Sequence, residues 1–244
     1  MPKAPLWGKT VIRLEFYMNN LFSRPGVTRF LLLSGAAGLA ASQWLVFMYA
    51  PLEVEMELIQ KIFYIHLPLA WGGLLSFCAV FGASIAYLWS NCKKWHTIAN
   101  CGASLGVLLA SLALVTGAFW AKKAWGVWWT WEPRLTTTLI MCFVYAAYLI
   151  VRNMDLPPER RSKIAAVIGI AAFLDVPLVY FSARLWSYIH PKSMELELEM
   201  KITLIACVAS FALLWLPLLA FRAQLARDEQ KLDTLLRQRL MKEE

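Results

Sequence analysis

The chain is short of charge. Asp, Glu, Lys and Arg make up only 16% of its 244 residues, against 59% apolar residues. A soluble domain of this length rarely carries so little charge. Histidine is scarce too, with three in the whole chain. Five cysteines are present (Cys78, Cys92, Cys101, Cys142 and Cys207), and none forms a C-x-x-C. That excludes a thioredoxin-type motif and a covalent C-x-x-C-H haem attachment. Most of the cysteines fall in apolar blocks, where they pack as small, weakly polar residues. There is no internal repeat and no low-complexity tract. A short signal-type apolar region is also missing: the first apolar block is of full span length, so no cleaved leader is expected. The net charge of +8 is read as a topological signal rather than as a nucleic-acid footprint, because cytoplasmic Lys and Arg produce the same excess in a membrane protein.

What the chain does have is long apolar runs. Six blocks, at about 30–51, 62–89, 98–120, 135–151, 163–183 and 201–221, are each near the length a bilayer requires. Spans in lipid must be helices or a closed barrel. Barrel strands alternate apolar and polar residues, and these blocks do not. The expected fold is therefore an all-α polytopic membrane protein with six transmembrane helices. With the N-terminus inside, seventeen of the 24 Lys and Arg residues fall on the inner side and seven on the outer. The positive-inside rule then puts both termini in the cytoplasm. Three regions follow. Residues 1–29 mix basic residues with Trp7, Phe16, Tyr17 and Phe22 and suit an interfacial helix on anionic lipid. Residues 30–221 form the six-helix membrane domain, with an outer tryptophan-rich loop at 120–136. Residues 222–244 read as a charged cytoplasmic tail.

Three features collect on the outer side. The first is the loop WAKKAWGVWWTWEPRLT, with Trp120, Trp125, Trp128, Trp129 and Trp131. An aromatic belt spreads its tryptophans over many helix ends. Here five of the chain's twelve fall within twelve residues, with Gly126 to allow a tight turn among them. Such a strip offers a flat, stiff apolar platform edged with N–H donors. The second and third features are His66, in KIFYIHLPLAW, and His190, in LWSYIHP. His96 lies in an inner loop beside Lys93 and Lys94 and reads as a solvated residue. Alone, an interfacial histidine is usually an amphipathic side chain. Two on one side, flanking an indole cluster, point to a metal site. A closed zinc site wants four compact ligands, and the outer face offers two histidines and no suitable cysteine. A flat aromatic cofactor with two axial imidazoles fits better, and haem is the group of that description.

Polar residues surround these features. Arg134 and Arg184 have two readings, as forks for a haem propionate or as snorkelling helix-end residues. Glu132 and Pro133 look like the start of the fourth span, and Glu132 has a structural and a functional reading of equal standing. Two acidic triplets, Glu53, Glu55, Glu57 and Glu195, Glu197, Glu199, read as solvated edges ahead of a docking site for a basic partner. Asp175 lies inside the fifth span, just before Pro177, where an acid is costly and a functional suspect. The alternatives are a cap for backbone that the proline frees and an acid held protonated.

These segments resemble a known family. WGVWWTWEPRLT is similar to the tryptophan-rich "WWD" signature of haem-handling membrane proteins. KIFYIHLPLAW and PLVYFSARLWSYIH resemble the two histidine segments of one branch, CcmC. The resemblance runs from the first span through the sixth. It implies non-covalent binding of haem b at the periplasmic face of a bacterial inner membrane, and delivery to the haem chaperone CcmE during c-type cytochrome biogenesis. It implies work beside CcmA, CcmB and CcmD of an ABC-type complex, and a carrier rather than an enzyme. It makes His66 and His190 the axial iron ligands and the five tryptophans the haem platform, with Arg134 beside it. Glu132 stands where the family usually has Asp. Arg184-Leu185-Trp186 stands where a paired tryptophan is usual. Two other readings are a haem permease, with Asp175 on its route, and a di-haem redox protein, for which the histidines are too few.

Overall fold

A computed structural model describes residues 25–53, 56–185 and 196–243. The N-terminal segment, for which an interfacial helix is expected, lies outside them, as does His190. Among the described residues the structure is helical apart from short connections. Helix α1 (Pro25–Trp44) ends in a π-helical turn, Leu45–Tyr49. A 3-10 turn, Leu58–Ile62, leads into α2 (Phe63–Ser90). Then follow α3 (Lys93–Trp125), α4 (Pro133–Arg152), α5 (Pro158–Ala172), α6 (Asp175–Leu185) and α7 (Leu198–Glu243). Six helical stretches are long and apolar enough to cross a membrane, and they match the six expected blocks in order.

The stretches differ from the expected blocks at their ends. The third runs over Lys93–Trp125, well beyond 98–120. Ala121, Lys122, Lys123 and Ala124 are good helix formers, so the helix carries the tryptophan strip's first residues with it. Gly126 stops it in the left-handed region, at φ 76°, and its N–H donates to the Lys122 carbonyl at 3.1 Å. This is a glycine C-cap. The fifth span is broken at Phe173–Leu174 between α5 and α6. Pro177 explains the break: its ring would clash with the carbonyl four residues back, at Phe173. The last helix runs unbroken through the membrane block and the charged tail, for 46 residues.

Helices α2 and α3 form an antiparallel hairpin at the centre, held close by small residues. At Gly106 an added Cβ would lie 2.5 Å from Phe77 Cε1, so only glycine admits the Phe77 ring there. Phe77 in turn stacks on Tyr145 of α4, with centroids 3.9 Å apart. Trp215 of α7 donates its indole N–H to Ser76 Oγ at 2.8 Å. On the other flank α1 packs on α7, where Gly35 meets Leu214 and Gly38 meets Ser210. Six crossings put the start of α1, the 90–93 and 152–158 segments and the end of α7 at one end of the bundle. The other end, here the loop end, carries residues 56–66 and 117–134.

His96 corrects the sequence reading. It lies in the first turn of α3 and is half-buried, not solvated in a loop. Its Nε2 accepts from Asn100 Nδ2 at 3.0 Å, and its ring tilts against Tyr87 at 5.6 Å. The helix begins at Lys93, earlier than the apolar block, and draws His96 inward.

Candidate functional site

A cavity of about 310 Å³ opens at the loop end, within the usual size range of small-molecule sites. Its walls come from α2, α3, α4 and α6. His66, Trp120, Trp125, Glu132, Arg134 and Tyr180 are among the residues that line it. Most of the remaining wall is aliphatic, such as Leu67, Leu74, Leu114 and Leu135.

His66 is one turn into α2. Its Nδ1 lies 3.1 Å from Thr116 Oγ1 on α3. The Thr116 hydroxyl has a single proton, and it donates to the Leu112 carbonyl at 2.8 Å. In the tautomer that keeps that bond, His66 Nδ1–H donates to Thr116 Oγ1. In a neutral ring this leaves the lone pair on Nε2. Iron-ligating histidines are commonly oriented in this way, by a hydrogen bond from the other ring nitrogen. Behind the ring stands Gly117, where an added Cβ would come to 3.1 Å from His66 Cε1 and 3.5 Å from Nδ1. Neither Thr116 nor Gly117 was singled out by sequence. A threonine and a glycine in an apolar span carry no signal of a partner fifty residues away.

The tryptophans divide into two groups. Trp120 is buried and meets His66 edge-on, with centroids 6.0 Å apart and planes at 73°. It also meets Phe63 edge-on at 5.8 Å, stacks on Trp125 at 6.4 Å, and donates its indole N–H to Met56 Sδ at 3.2 Å. Trp120 and Trp125 sit on the cavity wall. The others do not. Trp128 packs on Phe119 at 5.5 Å, under the Lys122 ammonium, and is largely exposed. Trp129 and Trp131 meet edge-on at 5.8 Å, and Trp131 is 76% exposed. The chain reversal at Gly126 separates the two groups.

Glu132 takes the N-cap position of α4 and Pro133 its first position, the places the sequence suggests. The Glu132 side chain makes no capping bond. It is buried on the cavity wall instead, near enough to Arg134 for the two charges to interact. Arg134 is half-buried on the same wall. The side chain of Arg184 lies outside the described residues, like His190. The residues that flank 186–195 end α6 and begin α7, and Leu196 packs beside Tyr64, two residues before His66.

Asp175 is the first residue of α6, directly after the break. Its Oδ2 is buried without a hydrogen-bond partner. Its charge acts on Tyr145, whose buried hydroxyl is likewise unpartnered.

Comparison with known proteins bears out the family resemblance. The family model described as heme exporter protein C (CcmC) matches residues 19–237. The chain is 31% identical to heme exporter protein C of Haemophilus influenzae, over 75% of this chain and 78% of that protein. It is 27% identical to heme exporter protein C of Rhodobacter capsulatus, over 78% and 81%. A putative cytochrome c biosynthesis ccmC-like mitochondrial protein of Marchantia polymorpha is 29% identical, over 70% and 75%. With its six membrane-length helices and a family match over most of its length, the chain belongs to the heme exporter protein C (CcmC) family.

Proposed function

We propose that the protein holds haem b non-covalently in the loop-end cavity and hands it on to the haem chaperone CcmE during c-type cytochrome biogenesis. The observation that carries this reading is the orientation of His66. Its imidazole meets Thr116 through Nδ1, the contact that would direct Nε2 to a metal, and it stands on an apolar wall with Trp120, Trp125 and Arg134. The donor set fits haem: imidazole for iron, indole faces for the ring and a guanidinium for a propionate. His190 supplies the second imidazole, from the connection between α6 and α7. Trp128, Trp129 and Trp131 extend the platform at the mouth, where a recipient docks. CcmA, CcmB and CcmD work beside it. The loop end faces the periplasm of a bacterial inner membrane and both termini face the cytoplasm, in line with the Lys and Arg distribution. Reporter fusions at the C-terminus and in the 126–132 loop test that orientation.

The protein acts as a carrier and not as an enzyme. Handover breaks coordination bonds and leaves the porphyrin unchanged. Each axial bond is therefore weak enough to release, and the aliphatic wall excludes water until it does. The test is the absorption spectrum of the purified protein. Wild type is expected to carry haem with a six-coordinate, bis-imidazole spectrum. A His66→Ala, His190→Ala double variant that keeps its haem and its spectrum would sink the assignment.

A haem permease is the second reading, and the buried Asp175 carboxyl at the break in the fifth span favours it. Haem movement into liposomes that is lost in Asp175→Asn would promote that reading over the carrier.

A further inference from the structure

The end of the bundle opposite the cavity holds a second cluster that the proposed function does not use. The segments there carry many basic residues, and most of them point outward. Lys93, Arg160 and Lys163 are exposed, and Lys163 pairs with Glu159 at 2.8 Å. Arg152, Arg161 and Arg222 are different. They come from three helices, α4, α5 and α7, and all three are half-buried. Arg152 lies one turn beyond Tyr148, whose hydroxyl donates to Asn100 Oδ1 at 2.9 Å. Arg222 precedes Ala223, which packs on Cys101. Both arginines thus flank the same turn of α3. Arg161 is fixed from the α4–α5 connection, donating through Nη1 to the Met154 carbonyl at 3.3 Å.

Charge and hydrogen bonding at this seam are unbalanced. Arg152 and Arg222 act on each other, and Arg152 and Arg161 both act on His96. Glu229 acts on Arg152 and lies 3.7 Å from Arg222 Nη1, but it is 58% exposed. Arg161 Nε and Arg222 Nη1 are both buried without a hydrogen-bond acceptor. Like charges do not converge in a half-buried seam without cost, and a buried charged donor without an acceptor is costly in itself. A topological signal needs neither burial nor convergence. An anion with several acceptor oxygens would remove both costs, and a phosphate is the best match to guanidinium forks.

We propose that Arg152, Arg161 and Arg222 form a binding site for a phosphate group at the terminus-bearing end of the bundle. The position favours the headgroup of an anionic phospholipid, because the seam lies between helices at the edge of the apolar belt, where basic interhelical pockets take lipid headgroups. A bound headgroup ties α4, α5 and α7 together around the foot of α3.

The test is thermal unfolding of the full chain in detergent, with lipid or inorganic phosphate added. Phosphatidylglycerol or cardiolipin is expected to raise the melting midpoint well above the effect of phosphatidylcholine. In Arg152→Gln, Arg161→Gln, Arg222→Gln that difference is expected to vanish, whereas Arg160→Gln, Lys163→Gln keeps it. If the triple variant does not fold, Arg161→Gln alone serves, read by native mass spectrometry as a loss of half or more of the co-purifying anionic lipid. An equal rise with phosphatidylcholine, or an undiminished rise in the variants, overturns the site. A full rise with inorganic phosphate alone supports the site and overturns the lipid as its source.

Discussion

His66 and His96 stand at opposite ends of the same helical hairpin, and each is held by a polar side chain on α3. The difference lies in which ring nitrogen is used. Thr116 Oγ1 meets Nδ1 of His66, whose ring stands on the cavity wall. Asn100 donates into Nε2 of His96, so that lone pair is already consumed, and Tyr148 fixes Asn100 in turn. Surroundings reinforce the contrast. His66 sits among indoles and aliphatic side chains, His96 in a seam of arginines that repel any cation. On the proposed haem reading, one hydrogen bond each gives the two histidines opposite capacities.

The largest effect that sharpens this contrast is expected at His66. His66→Ala should lower haem retained on purification by tenfold or more, of the order seen when a ligand and its orientation are lost. His96→Ala should leave it within about twofold, since no part of that ring serves the cavity. Equal losses in the two variants would break the comparison. Thr116 comes next. Thr116→Val removes the acceptor for Nδ1–H and should weaken haem binding by roughly 10–100-fold, as for outer-shell partners in general. Thr116→Ser should restore it, and haem titration of the two variants separates orientation from packing. Gly117→Ala should act more mildly, because the new Cβ meets His66 Cε1 at 3.1 Å and the ring must shift by a few tenths of an ångström. The expected signature is a changed spectrum at nearly full occupancy. Asn100→Ala should leave haem binding untouched. It should lower stability by about 1–3 kcal/mol, because the buried Tyr148 hydroxyl loses its acceptor. Denaturation in detergent checks this, and a haem defect in that variant would contradict the separation of the two ends.

The six membrane-length helices were legible because each apolar block is continuous and carries few charges. His66 and the strip were legible because histidine is rare here and tryptophan is clustered. The division of the strip was harder to read. Trp120 and Trp125 ride on α3 into the cavity, while Trp128 and Trp131 follow a reversal at Gly126. The glycine was visible, but the facing of each indole depends on where the helix stops. The break at Phe173–Leu174 had a signal, Pro177, which also accounts for Asp175 starting a helix rather than lying within one. Thr116 gave none. It bonds its own helix as any span threonine does, and its second partner lies on another helix. His96 was misread because two lysines mark a polar edge, yet a helix begun at Lys93 turns its fourth residue inward.

The final helix has a mechanical consequence. Its 46 residues make a rod of roughly 69 Å at the α-helical rise, about twice the roughly 30 Å of a bilayer's hydrocarbon layer. Half of it therefore stands clear as a stalk. Near its other end, Met200 and Cys207 press on Tyr64, two residues before His66. A body that grasps the stalk and tilts it reaches the foot of the imidazole through Pro217, where the helix lacks a backbone hydrogen bond and bends most easily.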